Sequence, residues 1–82
     1  MTNLEKYNHV FLDILRVREE RLPELKDLET PKWDSMGHMT LIGAFEEAFE
    51  IMMETPDILA FTSYKKGKEV LKKYGVEIDE QS

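Results

Sequence analysis

The chain has no cysteine, and only three prolines and four glycines among its 82 residues. Without a thiol it forms no disulfide framework and no cysteine-based zinc site, so any sulfur chemistry it serves has to be imported. No apolar run approaches the roughly 20 residues that span a bilayer. Met1 to His9 lacks the basic-then-apolar order of a secretory leader, and these two absences point to a cytoplasmic chain that does not partner membranes.

Positive charge is also missing from the middle. Between Trp33 and Tyr64 the charged residues are Asp34, Glu46, Glu47, Glu50, Glu54 and Asp57, with no lysine or arginine, in a chain of net charge -6. Such a stretch repels nucleic-acid phosphates. Lys65, Lys66, Lys68, Lys72 and Lys73 follow as a basic patch, but no base-reading side chains are interleaved with them, so they read as a solvated helix face and no nucleic-acid partner is expected. A chain of this length makes one small domain, 1–82, with a core over about 3–76 and a frayed tail from 77 to 82. It is too short to enclose a deep catalytic cleft, so a module is expected rather than an enzyme.

What is present is helical periodicity. Leu4, Tyr7, Phe11, Ile14 and Leu15 recur at the spacing of an amphipathic helix, with Thr2 or Asn3 as its cap and an end near Arg18 to Arg21. The pattern breaks around Pro23 and Pro31, where Leu25 and Leu28 are expected to anchor a long loop from Leu22 to Trp33. A second helix is expected from Asp34 or Ser35, with Met36, Met39, Ile42, Phe45, Phe49 and Met52 on one stripe. Glu46, Glu50 and Glu54 fall on another, exposed row. Like charges four apart weaken a helix slightly, which suggests a use beyond folding. Thr55, Pro56 and Asp57 read as cap, first-turn proline and dipole-matched acid of a short helix. A last helix from Thr62 or Ser63 runs through Tyr64, Gly67, Val70, Leu71 and Tyr74 and stops at Gly75. The expected fold is all-α, a small four-helix bundle of three longer helices and one short one, with a long loop between helices one and two.

Ser35, His38 and Asp34 lie close together, yet three residues within one helical turn cannot place an imidazole between a serine and a buried carboxylate. His9 and His38 have no ligand spacing and make a poor metal site. Ser35 stands apart because it begins a helix, where free N–H groups and the macrodipole favour an anion. By itself an Asp-Ser pair at a helix start is better read as a plain cap and is weak evidence for an attachment site.

The run Trp33-Asp34-Ser35-Met36-Gly37-His38-Met39, continuing through Leu41, Ile42, Ala44-Phe45-Glu46-Glu47 and Phe49-Glu50-Ile51, resembles the attachment motif and second helix of acyl carrier proteins. The order and lengths of the other helices agree with that family. Trp33 and the Gly-His-Met after the motif look more like the discrete carriers of specialised pathways than the housekeeping fatty acid carrier. The resemblance implies 4'-phosphopantetheine attached covalently to Ser35 from coenzyme A by a phosphopantetheinyl transferase, with Asp34 helping to orient that complex. It implies a monomeric, non-catalytic carrier that takes acyl or aminoacyl thioesters between loading and transferring enzymes, as in fatty acid or secondary metabolite biosynthesis. Met36 and Met39 would then contact the arm or partners, and Glu46, Glu47, Glu50 and Glu54 would meet basic patches on partners. Gly37 and Thr40 depart from the family, standing where fatty acid carriers often have acids. The rival reading is an unmodified acidic helical adaptor with Ser35 as a plain cap.

Overall fold

The computed structural model describes residues 2–78 and shows an all-α protein. Its elements are α1 (Asn3–Leu15), a 3₁₀ helix (Glu19–Glu24), α2 (Ser35–Phe49), α3 (Thr55–Ala60) and α4 (Tyr64–Lys72). Among the described residues the nearest thing to a strand is an isolated bridge between Lys26 and Ser63. No described helix is long and apolar enough to cross a membrane.

Thr2 caps α1 reciprocally: its hydroxyl accepts from the Glu5 amide while the Glu5 carboxylate accepts from the Thr2 amide. The helix ends earlier than its periodicity suggests, because Arg16 turns left-handed at φ 56° and its amide closes onto Leu12 O. The chain then winds into the 3₁₀ helix, so the Leu22–Trp33 segment expected as loop is helical as far as Glu24. Leu22 and Leu25 are buried, but Leu28 is 80% exposed at φ 64° and anchors nothing. The missed anchor is Trp33, which is fully buried.

The core is aromatic. Tyr7, Phe11, Trp33, Phe45 and Phe61 are all fully buried, and Tyr7 and Phe45 stack at 5.2 Å between ring centroids while Phe11 meets Phe45 edge-on at 5.3 Å. The Tyr7 hydroxyl donates to Tyr64 O, and burial pushes its ionisation far above the ordinary phenol range. Gly67 is required here: a Cβ at that position would lie 2.3 Å from both the Phe61 ring and the Tyr7 hydroxyl oxygen.

Ser63 caps α4, accepting from the Lys66 amide. Gly75 takes a positive φ of 81° three residues beyond the end of α4. The cap of α3 is Glu54 rather than Thr55, with no side-chain capping bond, and Thr55 is the first helical residue. The expected frayed tail also begins too early: Glu77 O accepts from Asn3 Nδ2, and Ile78 is buried. The rest of that tail, 79–82, lies outside the described residues.

Candidate functional site

Ser35 is exposed at the first position of α2, and among the described residues its hydroxyl makes no hydrogen bond. Asp34 is the cap: its Oδ1 accepts from the Gly37 amide at 2.9 Å, and its carbonyl accepts from the His38 amide. The Asp34 carboxylate is thus tied to the backbone, and the amides of Ser35 and Met36 have no protein acceptor among the described residues.

The loop before the helix holds this turn in place. Thr30 N bonds to Lys26 O, Trp33 N to Thr30 O and Leu28 N to Trp33 O. Two residues of this loop, Leu28 and Lys32, adopt left-handed backbone, which costs a residue with a Cβ of order 1–3 kcal/mol. Lys32 O then passes so close to α2 that a Cβ on Gly37 would sit 1.8 Å from it. The gap left by Gly37 is filled by the chain's own backbone.

His38 makes two bonds. Its Nδ1 accepts from Trp33 Nε1 at 2.9 Å, and its Nε2 lies 2.8 Å from Ile58 O in α3. A carbonyl only accepts and an indole N–H only donates, so both bonds require a neutral ring with its proton on Nε2. With both nitrogens engaged, His38 is not aimed at Ser35, and no catalytic relay forms from Asp34, His38 and Ser35. Among the described residues no group of three or more His, Asp or Glu side chains comes together to hold a metal ion.

Beside Ser35 lies an open groove of about 320 Å³, mostly apolar, lined by Leu28, Trp33, His38, Met39 and Leu59, with Asp27 and Asp34 at its polar side. Met36 is 82% exposed and Met52 87% exposed, and Met39 and Leu59 are exposed too. The methionines expected on the core stripe of α2 therefore point outward, and Leu41, Ile42 and Phe45 are its buried residues. Met36 and Phe45 are nine residues apart, which at about 100° per residue is half a turn, so they cannot share a face.

The acidic row is also redistributed. Glu46 is half-buried, and its Oε2 accepts from the Met53 amide at 2.9 Å, which fastens the chain where it leaves α2. Glu47 and Glu50 are exposed, Glu50 as the left-handed cap at φ 55°. Glu54 lies beyond the end of α2, so it shares no helical row with the others; its amide donates to the Tyr74 hydroxyl. Within α3, Asp57 accepts from Tyr74 and Lys73, and these two bonds hold its carboxyl below the usual carboxylate range.

Comparison with family models, with curated protein sequences and with solved structures finds no match to this chain.

Proposed function

We propose that this chain is a carrier protein of the acyl carrier type, a small four-helix bundle whose cargo is held through Ser35. The observation that carries the reading is Ser35 itself, an exposed hydroxyl without a hydrogen bond among the described residues, on the first turn of a 15-residue helix. The residues around it fit a phosphodiester: the Ser35 and Met36 amides are free to meet an anion, and the helix dipole favours one there. Asp34 has its carboxylate on the backbone, so its role at the site is to shape the turn that presents Ser35.

A bound 4'-phosphopantetheine supplies the thiol that a chain without cysteine lacks. Ser35 needs no base of its own, because a phosphopantetheinyl transferase brings it. Leu28, Met39 and Leu59 give the proximal arm or a partner an apolar surface, and the thioether of Met39 adapts to varied shapes. Glu47, Glu50 and Glu54 remain exposed acids for steering basic loading and transferring enzymes. Glu46 takes a smaller part, since its carboxylate is bonded to the Met53 amide. The setting is cytoplasmic, and the cargo is an acyl or aminoacyl thioester.

A second reading, an unmodified docking adaptor, is favoured by the exposed Met36, Met39, Met52 and Leu59 alone. Intact mass separates the two. Incubated with coenzyme A and broad-specificity transferases, the wild type gains one phosphopantetheine and Ser35→Ala gains none. A wild type that stays unmodified with several transferases, or an alanine variant that is modified, overturns the carrier reading.

A further inference from the structure

α3 is only six residues long and has no fully buried side chain, so packing alone holds it weakly. Two sets of polar bonds tie it down. At its start, Tyr74 and Lys73 of the C-terminal segment hold Asp57, and the Tyr74 hydroxyl also accepts from the Glu54 amide. Further along, the tie is His38, which reaches from α2 to Ile58 O while accepting from the buried indole of Trp33. Its ring lies nearly parallel to that of Trp33, at 15°, and meets Phe61 edge-on. Leu59, next to the tied carbonyl, forms a wall of the groove beside Ser35.

We propose that neutral His38 is a latch that closes α3 against the turn bearing Ser35, and that protonation of its ring releases α3 and opens the groove. The reason is stereochemical. The Trp33 N–H requires a lone pair on Nδ1, and an imidazolium has none, so the added proton sets donor against donor. The indole nitrogen belongs to a fully buried side chain and has no water to turn to, which gives the conflict its force. The ring must swing away from the indole to relieve the conflict, which carries Nε2 off Ile58 O and leaves that carbonyl only the long 3.4 Å bond from the Phe61 amide.

The charged groups around His38 are few. Asp27 from the loop and Asp34 from the start of α2 line the same groove, and each would sit near an imidazolium once formed. α3 turns its acid, Asp57, away to Lys73 and Tyr74. Trp33 and Phe61, which flank the ring, carry no charge. Imidazole is the side chain whose ordinary charge change falls between about pH 5 and 8. The Asp57 carboxyl ionises below that window, so the other end of α3 stays tied and acts as the pivot. The latch does not depend on Ser35 being modified.

The experiment uses the full chain labelled with ¹⁵N. At pH 8, long-range ¹H–¹⁵N spectra are expected to show His38 with its proton on Nε2. Between pH 8 and 5.5 the Trp33 indole signal should shift with the midpoint of His38, and the Ile58 and Phe61 amides should lose exchange protection with it. Gln at position 38 offers a carbonyl and an amide N–H but takes up no proton, so His38→Gln should flatten the Trp33 and α3 responses, while His9→Gln should leave them as in wild type. A proton on Nδ1 at pH 8, or Trp33 and α3 signals that stay constant while His38 titrates, overturns the proposal, as does a folded His38→Gln variant that responds like wild type. If that variant does not fold, the two wild-type measurements decide.

Discussion

The two faces of α2 are built on opposite plans. The inner face sets Leu41, Ile42 and Phe45 against Tyr7, Phe11 and Phe61 in a closed aromatic cluster. The outer face leaves Met36 and Met39 exposed beside a serine that has no hydrogen bond among the described residues and a short helix tied by a few polar bonds. One face has its partners inside the molecule; the other has apolar surface that the fold does not cover. Under the proposed carrier reading, this exposed apolar rim beside Ser35 is the surface offered for contact.

The strongest way to break that comparison is through the ring at its centre. Phe45→Ala removes a fully buried side chain and should cost about 3 to 5 kcal/mol, much of the 5 to 15 that a domain commonly has. Phe49, stacked on Phe45 but only half-buried, should cost roughly half as much when truncated. Urea unfolding of the two variants checks the order, and equal losses would mean that the aromatic core extends to the rim.

A contrast in sign comes from two glycines of the same helix. Gly37→Ala drives a Cβ into Lys32 O and should destabilise by about 1 to 3 kcal/mol, disturbing the turn that presents Ser35. Gly43 has nothing within 4 Å of its Cβ position and sits in the middle of α2, so Gly43→Ala should stabilise by about 0.4 to 1 kcal/mol. Thermal melts of the pair test this, and a stabilising Gly37→Ala would refute the close approach of the loop.

The smallest effect belongs to the Asp57 tie at the start of α3. The folded Asp57 carboxyl is held below its ordinary value of 3.8, chiefly by the Tyr74 hydroxyl and then by Lys73. Its contribution is therefore complete above that value and is lost as the pH falls through the lower folded one. Asp57→Asn should lower the melting temperature slightly near neutral pH, where this contribution is present, and remove this part of the acid dependence. Melting curves from pH 7 to 2 would show it as a shallower decline than in wild type.

Much of the fold was legible because it is local. The Thr2 and Ser63 caps and the left-handed Gly75 depend on neighbours a few residues away, which any reading along the chain can find. The errors came where distance or phase decided. Counting in steps of three placed Met36 and Phe45 on one stripe, although each such step drifts by about 60°. Glu46 looked like one acid in a row until the chain after α2 folded back and brought the Met53 amide to it. Nothing near Trp33 marks it as a core residue, because its ring partners, Phe11 and Phe61, come from α1 and from the end of α3.

By itself, then, the sequence determined that the chain is helical, where most helices begin, that no cysteine thiol is available, and that Ser35 opens a helix, since propensity, capping and composition act over a few residues. Tertiary structure alone decided which face of α2 is covered, that Gly37 makes room for Lys32, and that His38 joins Trp33 to α3. Those depend on groups from separate segments meeting in space, and burial and hydrogen-bond partners exist only once they have met.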